Sequence, residues 1–412
     1  MDLLLSLPIV SYFFTTSLTS WSTSLNLLFF YMTWSTLVLS HSPLKIEIIG
    51  TTAIRLVLWL LPSLVFLAFD SLLPSLSETV KFNGASALPP RDARSLSKLL
   101  GLALFNLALE SALEATISLG LATVFKTPVF RTSTTLPLPW QMIKQLLWLF
   151  AGREVLSYYI HRQLLHNKPA PPSLRKAAET TKKVTSKLPK VKARKGVGVH
   201  TSVPSRRRLA SLHSNHCHAS RSPPFSLRVK TDHPLSYLLH HFLPIYLPAL
   251  ALHFWTATSP SSGLGFSSFS FGLGGLSNIT STGGLHILTY LVFLALCTAE
   301  ETLSHSGYTV IPGIFLGGIC RRTAAHFAQP DRGNFGSWGI LDWIHGTSLG
   351  GKNVWDDVKG EAEKHRLQER GEEKANGAIG AVREGIRRSA RQRSSRSRRR
   401  VVEESDEDWS EE

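Results

Sequence analysis

Residues 212–220 read LHSNHCHAS, placing His213, His216, Cys217 and His218 within six positions. Imidazole nitrogens suit iron, copper and zinc, so this knot is a candidate for part of a metal site. Two further groups flank it. His161 and His166, five residues apart, close the stretch REVLSYYIHRQLLHN. Downstream lie His233, His240 and His241 in TDHPLSYLLHH, and then Glu301 and His305 in AEETLSHSGY. The segment RRTAAHFAQPDRGNFGSWGILDWIHGT adds His326 and His345. Glu301 and His305 share a helix face at i and i+4. The candidate metal ligands are His161, His166, His213, His216, His218, His233, His240, His305 and His326. Six or more imidazoles can hold two metal ions. By contrast, His41, His200, His253 and His365 stand alone and carry no such implication. There is no Ser-His-Asp arrangement, HExxH motif or P-loop to support a hydrolase or an NTPase.

Ligands scattered over this much chain need a scaffold that brings them together. Mean hydropathy is near neutral, but apolar and charged residues are segregated. About 20 predominantly apolar residues span a bilayer as a helix. Candidate spans are 25–39, 53–73, 99–125, 140–159, 235–255 and 285–302. The N-terminus lacks a basic region and a cleavage site, so it reads as a retained membrane segment. Glu110 and Glu114, one turn apart within the third span, must face other helices, because lipid does not solvate a carboxylate. The formal net charge of +16 is concentrated in an internal block, Lys168 to Arg208, and a C-terminal block, Arg383 to Arg400. Three scattered cysteines without CxxC spacing exclude a disulfide scaffold and a cysteine zinc module.

These features predict an all-α fold, a polytopic transmembrane helical bundle. N-terminal transmembrane helices occupy 1–134, and the histidine-bearing domain occupies 135–350 with a disordered basic insertion at 167–210. A charged, disordered tail covers 351–412. Thirteen Lys and Arg side chains between Lys168 and Arg208 place the basic insertion in the cytosol. It lacks interleaved aromatics and is tethered to membrane segments at both ends, so anionic lipid is its partner and nucleic acid is not. Two later crossings would put the Ser/Gly-rich loop with Asn278 in the lumen and return His305 to the cytosol. All three histidine groups then lie on one membrane face.

The clusters resemble the three histidine boxes of the fatty acid hydroxylase/sterol desaturase superfamily. His161-x4-His166 matches the first box, and HSNHCH matches the second with Cys217 in place of one adjacent histidine. HPLSYLLHHFLPIYLP, SHSGY and GNFGSWGILDWIHGT resemble downstream segments. The likeness runs from Trp140 to Ser348. It departs from the pattern at the third box, where His326-Phe-Ala is followed by Gln329, Pro330 and Asp331 instead of two imidazoles. The resemblance implies a di-iron, non-haem centre and hydroxylation or desaturation of a sterol or other lipid with O2. It also implies an endoplasmic reticulum location and electrons from cytochrome b5 or an NAD(P)H-linked reductase. The alternative is a non-catalytic member of the same fold, acting as a lipid-binding or scaffold protein.

Overall fold

The computed structural model describes residues 21–125, 128–166, 168, 203–218, 225–257, 284–311 and 314–349, with 355, 356, 358, 359 and 363. Most of the basic insertion, the Asn278 loop and nearly all of the tail therefore lie outside the described residues. The last part of the predicted disordered insertion, from Val203, is instead helical, the start of the helix Val203–His216. The chain divides into two units, Met1–Val354 and Trp355–Glu412. Within the first unit the described residues are helical, with two isolated β-bridges, Lys81 to Tyr308 and Arg131 to His286.

The helices follow one another as α1 (Trp21–Ser40), α2 (Pro43–Leu72), α3 (Pro74–Val80), α4 (Ala93–Phe125) and α5 (Pro139–Tyr159). They continue with α6 (Val203–His216), α7 (Pro234–Phe254), α8 (Ile287–Ser304), α9 (Ile314–Ala328) and α10 (Ile340–His345). Proline opens α2, α3, α5 and α7, where a preset φ helps and no amide donor is missed. Helices α2, α4, α7 and α8 are long and apolar enough to cross a membrane. This is a multi-pass arrangement by length and composition.

The span predicted at 25–39 lies within α1, Trp21–Ser40, whose stretch Leu25–Ser40 is apolar. The helix predicted at 140–159 forms, but it is not among the four. It carries Arg153 and Glu154, both buried by partners from other elements. The predicted 53–73 span begins ten residues early, at Pro43. On α1 and α2 the side chains of Phe29, Leu39, Val57, Leu61, Val65 and Leu72 are exposed, as a lipid-facing surface requires.

The main core joins α5, α7 and α8 through Leu149, Phe242, Ile245, Phe293 and Leu294. Phe130 stacks on Tyr290 at 4.4 Å. Gly152 lets α5 approach α7 closely, since a Cβ there would stand 2.9 Å from Pro248. A second cluster packs the 3₁₀ turn Ser226–Lys230 against Trp59, Ala103 and Leu107.

The predicted orientation of Glu110 and Glu114 has a specific partner. Arg55 reaches Glu110 at 3.1 Å and Glu114 at 2.7 Å. Lys230 joins Glu110 at 2.9 Å, and Tyr290 donates to Glu114 at 2.8 Å. Tyr237 also donates to Glu110. Two cations therefore balance two carboxylates inside the bundle, and the network ties α2, α4, α7 and α8 to the 3₁₀ turn.

Candidate metal centre

Helix α5 does not end as an α-helix. Residues Ile160–Leu165 wind as a π-turn, and the His166 amide donates to the His161 carbonyl at 2.9 Å. Five residues of α-helix turn through about 500°, which would leave the two side chains about 140° apart. The wider i→i+5 winding closes that angle. The Nε2 atoms of His161 and His166 consequently lie 3.1 Å apart. A second π-turn, Leu238–Phe242, carries His240 and His241.

Helix α6 brings His213, with His218 just beyond its end, and α9 brings His326. The His161 ring centroid is 4.8 Å from that of His166, 4.2 Å from His240 and 4.7 Å from His326. His218 lies 4.9 Å from His213, 5.2 Å from His166 and 5.0 Å from His326. One ligand atom from each of His161, His166, His213 and His218 falls within 4.8 Å of the others. A cavity of about 80 Å³ adjoins these rings, lined in part by His161, His218, His240, His305 and His326.

The other edge of three of these rings is anchored. His213 Nδ1 lies 2.6 Å from Asp232 Oδ2, His161 Nδ1 3.0 Å from the Phe335 carbonyl and His326 Nδ1 2.8 Å from the Gly333 carbonyl. An outer acceptor of this kind fixes the tautomer of a metal-ligating histidine and aims its other nitrogen inward. The inward Nε2 atoms of His213 and His326 are buried without hydrogen-bond partners, as are both ring nitrogens of His218. Buried polar atoms without partners are costly. A metal ion held among His161, His166, His213 and His218 would satisfy His213 Nε2 and one nitrogen of His218, and those four residues fit one.

The carbonyl cradle is itself held. Asp342 accepts from the amides of Phe335 and Gly336 at 3.0 and 2.7 Å and from Thr347 at 2.6 Å. Glu154 accepts from the Trp338 and Ile340 amides at 2.7 and 3.0 Å. Gly333 touches the Thr347 backbone so closely that a Cβ would stand 1.9 Å from its oxygen. Asn334 takes the left-handed conformation, φ 56°, which asparagine tolerates better than most residues.

Burial, reinforced by neighbouring imidazoles, holds the pKa values of His161, His166 and His218 below the ordinary histidine range. Burial lowers His326 to about 4, partly opposed by the Gly333 carbonyl. Neutral imidazole is the form that binds metal. Burial and the Asp232 carboxylate push the Cys217 thiol well above its usual value, which keeps it protonated and a poor ligand.

The nine predicted ligands do not all converge. His161, His166, His213 and His218 bring their donor atoms together, and His240 and His326 pack against this group. His216 is exposed, and its ring lies 5.5 Å from that of His233, away from the cluster. His305 lines the cavity with its Nδ1 bonded to the Glu301 carbonyl at 2.8 Å, but it lies outside the group of four whose donor atoms come within 4.8 Å of one another. His345 packs on Tyr158 at 5.2 Å. Asp331 is 74% exposed and stands 3.6 Å from the outer nitrogen of His166. Replacing His216 with alanine is therefore expected to leave bound metal unchanged, as read by metal analysis of purified protein.

Asp232, Asp342 and the Gly333 and Phe335 carbonyls went unpredicted as supports of the site. Asp232 stands beside His233 in TDHP, which was one available signal. The carbonyls have none, since any residue carries one. No protein-family model matches the chain, and no solved structure matches it.

Proposed function

We propose that this chain is a multi-pass membrane oxidoreductase whose histidine centre binds iron and acts on a C–H bond of a sterol or other lipid. The observation that carries this reading is the inward convergence of buried, partnerless imidazole nitrogens at the end of an apolar helical bundle. Iron, when bound, supplies dioxygen activation, with electrons from a cytochrome b5-type or NAD(P)H-linked donor. In this reading the centre faces the cytosol, where the basic insertion keeps it, and the membrane is that of the endoplasmic reticulum.

The chain's own residues have separable tasks. Asp232 and the Phe335 and Gly333 carbonyls hold His213, His161 and His326 with Nε2 inward. Burial keeps the ring edges dry and uncharged. The cavity of about 80 Å³ has room for a few molecules the size of water or dioxygen, since one water needs about 10–15 Å³ of such space. Only the reacting end of a lipid enters it.

A second reading, a non-catalytic lipid-binding or scaffold protein, is favoured by the exposed Gln329 where the resemblance calls for an imidazole. Lipid profiles separate the two. Cells lacking the protein are expected to accumulate a lipid one hydroxyl or one double bond short, which wild type restores and His213→Ala does not. Full restoration by His213→Ala, in amounts matching wild type, overturns the oxidoreductase and favours the scaffold.

A further inference from the structure

We infer that the centre holds one metal ion rather than the pair that the histidine-box resemblance implies. This rests on the metal-binding half of the reading above and is independent of turnover.

A second ion needs its own donors, and the chain withdraws them at three places. The first is the end of α9. A proline at position 330 disfavours helical geometry at residue 329 and cannot continue the helix. The helix stops at Ala328, the amide of Gln329 closes onto the Ala325 and His326 carbonyls, and Gln329 is exposed. The two positions after His326 that the resemblance assigns to ligands turn out of the cavity. The neighbouring Asp331 does not replace them, since it pairs with Lys168 at 3.3 Å on the exposed side of His166.

The second place is the carboxylates on α8. Arg153 sits between Glu300 and Glu301, with both Glu300 oxygens at 3.0 Å and Glu301 Oε1 at 3.1 Å. The other Glu301 oxygen lies 3.4 Å from His241 Nδ1, and Glu300 Oε2 also accepts from the Trp338 indole at 2.7 Å. A fixed guanidinium thus already engages three of the four carboxylate oxygens. A dication brought beside it would meet like charge at low dielectric.

The third is Cys217, which stands where an adjacent histidine is expected. Among the described residues, two groups place three or more donor atoms within 4.8 Å of one another: His161, His166, His213 and His218, and then His213, Cys217 and Asp232. The second shares His213, and its carboxylate is already bonded to that ring at 2.6 Å. It orients the first site and does not constitute another. One set of inward nitrogens remains.

The count can be measured without assuming any activity. Full-length protein purified in detergent is stripped with a chelator and reloaded with Fe(II) under anaerobic conditions, with Zn(II) in parallel. Bound metal is measured by mass spectrometry against protein quantified by amino-acid analysis. One ion per chain is expected with either metal, and again in the His305→Ala variant. Two ions per chain in wild type overturn this inference while leaving the metal centre in place. No tightly bound ion removes both readings. A His305→Ala protein that loses metal also overturns the inference, because His305 would then be a required ligand.

Discussion

Replacing His213 with alanine is expected to empty the metal centre. His213 is buried, its Nδ1 is held by Asp232, and its Nε2 points inward without a hydrogen-bond partner. Even an outer partner of a metal-bound histidine is worth about 10–100-fold in affinity. Loss of the ligand itself should therefore exceed about 100-fold by the same measure. His161→Ala should behave alike, and Asp232→Asn should fall within the outer-partner range because the imidazole remains. Metal content by mass spectrometry after dialysis at matched free metal checks the series. Retention of full metal by both histidine variants sinks the centre as drawn. Asp232→Asn also guards the interpretation, since it disturbs packing little and leaves no buried carboxylate unpaired.

The largest expected effect on stability lies elsewhere, in the bundle. Arg55→Ala would remove the cation that Glu110 and Glu114 share, leaving Lys230 alone against two buried carboxylates. Breaking a buried ion pair from one side costs about 3–5 kcal/mol, because the surviving charge has neither water nor partner. Replacing the whole set with neutral groups is far milder. Arg55→Met and Lys230→Met combined with Glu110→Gln and Glu114→Gln should thus recover much of the loss. The readout is the temperature at which the detergent-solubilised protein leaves its monodisperse size-exclusion peak. An Arg55→Ala protein as thermostable as wild type would show that the network contributes nothing to stability.

Composition and periodicity alone determined that the chain is helical, that several helices are apolar enough for a bilayer, and that Glu110 and Glu114 turn inward. These follow from local chemistry. Lipid offers no hydrogen bonds, so apolar stretches of that length become helices, and a carboxylate among them needs a partner. Which cation would serve was not legible, because Arg55 lies 55 residues from Glu110 in a different helix. The span predicted at 140–159 is helical but not among the four that qualify by length and composition, for a related reason. Its helical length was visible, but the partners that bury Arg153 and Glu154 came from α8 and the loop before α10.

At the metal centre, side-chain chemistry marked the histidines as candidates, and tertiary structure chose among them. His161 and His166 were legible as a pair, but their α-helical spacing would have splayed them, and a π-turn closed the angle. His216 and His218 are two residues apart, and the end of α6 sent one outward and the other in. Two carbonyls that orient ligands belong to Gly333 and Phe335, where no side-chain type marks a role. Spacing specifies which donors exist, but the direction of a donor depends on backbone winding, helix termini and long-range contacts. Those are properties of the folded chain.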